Sequence, residues 1–372
     1  MKLSKLMLTM AVAASAFAAC NKQETTPVGT NYKSVEFSLE NVNFTKATTN
    51  QIIGENDAVN LKSFQVFFAD ATGNIYHAKE ADNSTMANEY FTAADLDKNL
   101  IFHFLDPKVT QVVVVGNLPK NTTAKTISDL EQTLAIADQQ DKNEAASELT
   151  LYAQKALTLK TPFTEHKGTT DYPHKVDIYE AEVTLLPRVA RIEIVGYECN
   201  FSDDPLYDQV TIDQIAIDGY NSTASLATGA GATTINAVNP ANQVDLFNYF
   251  KANADATTPA WWFDETAINL TPEVETAAAP LLAYHVFPTA VPELLIDVTT
   301  TNDGVNMPAY LYTQGFATTE GATVADVTTL QAGKVYRLTL AFDDTDLTQQ
   351  DKCVEVKVQV VDWVVVPVYP IF

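Results

Sequence analysis

The side chains best suited to catalysis are few in this 372-residue chain, and they are scattered. Its five histidines are His77, His103, His166, His174 and His285. No two of them stand in an HExxH frame, the spacing that puts two imidazoles on one helical face to hold zinc. No GxSxG elbow and no phosphate-cradling P-loop occurs. Gly229-Ala230-Gly231 does not join a strand to a helix, so it fits no dinucleotide fingerprint. Asp343-Asp344-Thr345-Asp346 offers the clustered oxygens that a hard cation takes, but it lacks the glycine and the closing glutamate of an EF-hand loop. It reads as an acidic turn. Trp261-Trp262-Phe263 could form a platform for stacking sugars. Neighbouring residues of a strand point to opposite faces, so at least one of the three belongs to a core. The expectation is a protein that is not an enzyme and holds neither metal nor cofactor.

Other chemistry lies near the start. Lys2 and Lys5 precede an apolar run from Leu6 to Phe17, too short for the roughly 20 residues that span a bilayer. It suits an export signal. The run closes on Phe17-Ala18-Ala19-Cys20, which resembles the lipobox of bacterial lipoproteins. That resemblance implies a signal peptide over 1–19 and lipidation of Cys20, with palmitate among the acyl chains. Cys199 and Cys353 are then the remaining thiols. Outside the cytoplasm they could pair, or stay two separate buried thiols; so wide a spacing fixes no geometry.

Composition narrows the partners. Hydrophobic residues make up 46% of the chain, enough for a large core. The formal net charge is -24, which repels phosphate backbones and excludes nucleic acid as a natural partner.

The elements are mainly strands. Residues 21–33 read as a polar tether. Val35-Glu36-Phe37-Ser38-Leu39 alternates strictly, and Val42 and Phe44 resume after a slip, as in a half-buried strand with a bulge. Further strands are expected at 61–68, 100–104, 109–115, 149–159 and 178–185. Ser128, with Glu131 as its capping-box partner, predicts a helix ending by Gln140. Pro187 cannot donate in a central ladder, so the chain should cross from one sheet system to another near it. A second set of strands follows at 189–195, 210–217, 281–288, 294–299, 310–312, 335–342 and 354–366. Residues 221–243 read as a long loop, and 245–251 as a short helix. Strands with turns between them throughout both halves predict an all-β chain with minor α content, built as β-sandwiches.

The last nineteen residues alternate cleanly as far as Val360 and become almost wholly apolar from Trp363 to Phe372. An extended apolar segment of this kind pairs readily with another sheet edge. Residues 354–363 fit a closing core strand. Residues 364–372 fit either its continuation or a strand that enters another molecule. Near the other end, Lys46-Ala47 offers a cation followed by small residues, as a trypsin-like protease requires.

Taken together, several motifs resemble the fimbrillins, the major fimbrial subunit family of Bacteroidales type V pili. They are the lipobox Cys20, the early strand closing on Lys46-Ala47, Pro187-Arg188-Val189-Ala190-Arg191-Ile192-Glu193-Ile194, Tyr284-His285-Val286-Phe287-Pro288, Gly333-Lys334-Val335-Tyr336-Arg337-Leu338, and the valine ladder to Trp363. The resemblance runs along essentially the whole chain. It implies two transthyretin-like β-sandwich domains in tandem, over 47–186 and 187–363. It also implies a lipidated propeptide over 20–46 whose strand, carrying Phe37, Leu39, Val42 and Phe44, is removed by cleavage between Lys46 and Ala47. Lysine stands where many relatives have arginine, so a protease strict for arginine would leave this chain uncut. Residues 364–372, with Val364, Val366, Val368, Ile371 and Phe372, would be the donor strand entering the vacated groove of the next subunit. The implied partners are other fimbrial subunits, a trypsin-like processing protease, the outer membrane before cleavage, and a host or bacterial surface receptor. The implied location is the cell outer membrane, then an extracellular fimbrium that supports adhesion. The alternative is a permanently anchored, glycan-binding surface lipoprotein.

Overall fold

Strand β1 (Lys33–Leu39) shows how alternation specifies the architecture. Val35, Phe37 and Leu39 are buried, while Glu36 is half-buried and Ser38 exposed. A period of two puts every second side chain on the core face. The computed structural model describes residues 32–39, 58–79, 89–92, 95, 100–140, 149–162, 176–202, 205–256, 260, 262–271, 276–313, 315–320, 323–343, 347, 355–362 and 364–367.

Among the described residues, eleven more strands follow up to residue 187: β2 (Ala58–Leu61), β3 (Ser63–Ala69), β4 (Ile75–Tyr76), β5 (Tyr90–Thr92), β6 (Leu100–Leu105), β7 (Gln111–Gly116), β8 (Thr133–Ala135), β9 (Leu151–Ala156), β10 (Thr158–Thr161), β11 (Asp177–Val183) and β12 (Leu186–Pro187). One sheet runs β10-β11-β1-β6 and another β12-β9-β7-β3-β4, with β5 also on β3. Their facing residues make a phenylalanine-rich core. Phe37 of β1 stacks on Phe64 of β3 at 6.1 Å and meets Phe102 of β6 edge-on at 6.2 Å.

The second half holds β13 (Ala190–Cys199), β14 (Gln209–Asp218), β15 (Tyr220–Ser225), β16 (Gly231–Ile235), helix α1 (Gln243–Ala254), β17 (Phe263–Leu270), β18 (Thr276–Val286), β19 (Glu293–Asn302), β20 (Val305–Tyr312), β21 (Phe316–Glu320), β22 (Thr323–Val327), β23 (Lys334–Phe342), β24 (Glu355–Asp362) and β25 (Val364–Pro367). Here the sheets run β18-β13-β23-β24-β21-β22 and β17-β14-β19-β20. The chain is therefore an all-β sandwich protein with one α-helix among its described residues. The two halves repeat a pairing. β1 lies parallel to β11 and antiparallel to β6, as β13 lies parallel to β23 and antiparallel to β18.

Three expectations change. The predicted capped helix after Ser128 is a single 3-10 turn, Ile127–Leu130, capped by Thr126. The capping box is Thr126 with Asp129: Asp129 N donates to Thr126 Oγ1 at 3.2 Å, and Thr126 N donates to Asp129 Oδ2 at 2.8 Å. β8 follows it, then a second 3-10 turn, Ile136–Gln139. Glu131 is left to accept from Leu226 N and Ala227 N, at 2.8 and 3.1 Å. Secondly, much of the loop expected over 221–243 is the β15–β16 hairpin, which adds β8 to form a three-stranded sheet between the halves. The three central residues of β16 are exposed, so its pairing rests on backbone groups and leaves no apolar alternation to read. Thirdly, α1 is longer than 245–251 because Asn242 caps it, accepting from Val244 N at 3.1 Å. Its Leu246 and Phe250, four residues apart, pack on Ala216, Leu295 and Tyr312 of the underlying sheet.

Candidate functional site

Among the described residues, no group of three or more His, Cys, Asp or Glu side chains is arranged to hold a metal. The described histidines are occupied by structure. His77 Nδ1 meets Glu89 Oε2 at 2.8 Å, and His103 Nδ1 meets Ser34 Oγ at 3.1 Å. His285 is buried; its Nδ1 donates to the Gln139 carbonyl, and its Nε2 accepts from Arg191 Nη1 at 2.9 Å. His166, His174, Asp344, Asp346 and Trp261 lie outside the described residues. Phe263 is core, and Trp262 is half-buried and stacks on Tyr249 at 5.5 Å. One face of that indole is thus taken up within the chain.

The feature with functional potential is the seat of β1. This strand is central in its sheet, with β11 on one side and β6 on the other. In register, Val35 faces Tyr179 and Phe102, Phe37 faces Ala181 and Leu100, and Leu39 faces Val183. Val35 is fully buried, Phe37 is 5% exposed and Leu39 is 7% exposed. Lys33 fastens the start of the strand. Its ammonium donates to the Val109 carbonyl at 2.7 Å and lies 4.5 Å from the centre of the Tyr179 ring. Burial pulls its pKa below the usual lysine range.

The outer face of the seat is charged. Glu36 stands opposite Glu180, and Ser38 opposite Glu182. Lys160 of β10 forms an ion pair with Glu36 and lies 3.9 Å from Glu180 Oε2. These carboxylates raise the lysine pKa, Glu36 most of all. With Phe37, Leu100 and Ile101, the same groups line a depression of about 140 Å³. Sequence reading missed Lys160, Glu180 and Glu182. The alternating Asp177-Ile-Tyr-Glu-Ala-Glu-Val183 pattern carries the two glutamates outward, but only the parallel pairing places them beside β1, and the antiparallel pairing of β10 with β11 brings Lys160 to them.

The C-terminal segment lies elsewhere. Val356 and Val358 of β24 are buried as its core face. β25, which includes Val364 and Val366, pairs in parallel with β2, Ala58 opposite Val364 and Leu61 opposite Pro367. Val59 and Leu61 of β2 are fully buried. Cys20, Val42, Phe44, Lys46, Ala47, Val368, Ile371 and Phe372 lie outside the described residues. So does Cys353; Cys199 ends β13, half-buried, opposite Phe342.

No family model matches the chain. No curated protein matches it. Solved structures do. A candidate cell adhesion protein from Parabacteroides distasonis ATCC 8503 is 14% identical over 92% of this chain and 99% of its own, with a TM-score of 0.52. A fimbrilin from Porphyromonas gingivalis W83 is 14% identical over 91% of this chain and 99% of its own, with a TM-score of 0.49. At such identity the first likeness establishes a shared fold over nearly the whole chain.

Proposed function

We propose that this chain is a structural, non-enzymatic subunit of a surface fimbria. In this reading it reaches the outer membrane as a lipoprotein through Cys20, is cut between Lys46 and Ala47, and joins other copies by strand exchange in support of adhesion. The observation that carries the reading is the position of β1. A central strand with three buried apolar seats connects onward only through residues 40–57, the segment that contains Lys46. Cutting there leaves β1 held by pairing and packing alone. Burial of Val35, Phe37 and Leu39 is worth roughly 5–9 kcal/mol before ordering costs, so an emptied seat would strongly favour refilling. Backbone groups of β6 and β11 would give the new strand register and direction. A head-to-tail contact between unlike surfaces extends into a filament. Residues 364–372 are the proposed donor, and β25 must leave β2 to serve. The resemblance to fimbrillins and the shared fold with a candidate adhesion protein both support this reading.

The test is direct. Trypsin treatment of the lipid-free chain should give a new N-terminus at Ala47 and a ladder of oligomers that disappears when residues 364–372 are deleted. A chain that stays uncut at Lys46, or that is cut and remains monomeric, overturns the proposal.

A further inference from the structure

We infer that the outer rim of the β1 seat sorts incoming strands by charge at the position of Ser38: it admits neutral or basic side chains beside Glu182 and rejects acidic ones, whereas a carboxylate at the Glu36 position is matched by Lys160. The inference rests on the strand-exchange reading and names which strand the seat accepts. The occupant it selects is segment 364–372 of a second copy.

The argument begins with register. In a parallel pair, side chains opposite one another share a face and lie close together. Glu36 and Ser38 of β1 therefore project over Glu180 and Glu182 of β11, and β6 adds uncharged Ile101 opposite Glu36. Among the described residues one cation, Lys160, serves this patch, and it pairs with Glu36 while lying near Glu180. With β1 in place the patch holds three carboxylates and one amine. With β1 gone it keeps Glu180 and Glu182 against Lys160, still an excess of negative charge. A strand with a carboxylate at the Ser38 position would meet Glu182 directly and Glu180 on the diagonal. An amine there would be attracted to both.

The inner face adds a filter of size. Phe37 fills a place between Phe64 and Phe102, at 6.1 and 6.2 Å between ring centres, so the matching residue must be large and apolar. Residues 364–372 suit both faces. They are Val, Val, Val, Pro, Val, Tyr, Pro, Ile and Phe, with no charged side chain, in a chain that carries 47 acidic residues.

The experiment uses the chain cut at Lys46 and lacking residues 364–372, so that no other copy fills the seat, with labelled peptides of residues 33–39 as probes, since their register is known. Peptides carrying Ser38→Lys and Ser38→Glu are titrated at low salt. The lysine form should bind about tenfold tighter, given one direct and one diagonal like-charge contact in the glutamate form. The gap should close near about 1 M salt, where screening reaches about 3 Å. It should also close in a chain carrying Glu180→Gln and Glu182→Gln. Equal binding of the two peptides to the cut, shortened chain with both glutamates intact overturns charge sorting while leaving strand exchange standing. Binding of neither peptide overturns both.

Discussion

Gln140 and His285, 145 residues apart, hold each other by a reciprocal pair of hydrogen bonds. Gln140 Nε2 donates to the His285 carbonyl at 2.7 Å, and His285 N donates to Gln140 Oε1 at 3.0 Å. An amide side chain thus extends the β18 edge as another strand would. With the β8–β15 pairing and Glu131 on Leu226 N and Ala227 N, it joins the two halves through backbone groups. Arg188 adds to this joint: its Nε donates to the Leu226 carbonyl at 2.6 Å, and its guanidinium lies 4.2 Å over the Tyr152 ring.

Gln140→Ala removes one partner from each of two part-buried backbone groups. The expected cost is about 1–3 kcal/mol, because an unsatisfied buried group loses its hydration as well as its bond. Urea unfolding of the variant should show a lower midpoint. Splitting of the transition into two would identify the lost bonds as coupling between the halves; an unchanged midpoint would show that water replaces the amide fully.

His285 predicts an acid limit. Burial, with the Arg191 charge beside it, lowers its pKa to about 3 from the usual 6.5. Glu193 accepts from Arg191 Nε at 2.6 Å and from Arg337 Nε at 3.1 Å, so two guanidiniums already surround one carboxylate. A third cation is unwelcome there. The unfolded chain binds a proton below pH 6.5 that the folded chain refuses down to about pH 3, so stability falls as pH drops through that window. Between pH 7 and pH 5 the loss from this group is about 2 kcal/mol. His285→Asn should be less stable at pH 7 and should lose less on acidification. Parallel pH profiles for variant and wild type would refute the assignment.

Asp297 acts in the opposite sense. Burial, then the neighbouring Asp213 carboxylate, raises its pKa to about 7 from 3.8. The folded chain therefore holds a proton that the unfolded chain releases, and stability falls as pH rises from about 4 to 7. Asp297→Asn should stabilise the protein at pH 8 by about 1–2 kcal/mol, after discounting for partial exposure, and should change little near pH 4. Thermal melts at the two pH values decide it: equal gains at both would place the effect in packing rather than titration.

Most strands were legible because burial on one face forces alternation. VEFSL at 35–39 and the β-branched run inside β7 announced themselves in this way. The β15–β16 hairpin did not, since the three central residues of β16 are exposed and β15 buries only Tyr220, Asn221 and Ala224, with no strict alternation. The chain passes from the sheet of β12 to that of β13 at Pro187, where a proline's missing donor suggests a crossing. The repeat of one pairing in both halves left no trace in the sequence. Topology constrains which residues are buried, and Phe37 and Ile194 satisfy that constraint with different side chains. The charged rim was equally hidden, because Glu36 and Glu180 become neighbours only through a parallel pairing 144 residues apart.

Phe37→Ala tests the β1 seat without any protease. Phe37 is 5% exposed and touches aromatic rings of two different strands, Phe64 on β3 and Phe102 on β6. Truncation removes the ring and leaves a cavity that a central strand cannot close by shifting, at a typical cost of 3–5 kcal/mol. In a marginally stable fold that loss should appear first as local release of β1, while β6 and β11 stay anchored by their other contacts. Hydrogen exchange should show amides of Lys33–Leu39, and the facing amides of β6 and β11, exchanging faster, with β13 to β24 unaffected. A peptide of residues 33–39 added in excess should slow the facing amides of β6 and β11 again. Uniformly faster exchange through both halves would mean that β1 unfolds only with the whole chain, and would remove the basis for treating its seat as one that can be emptied and refilled.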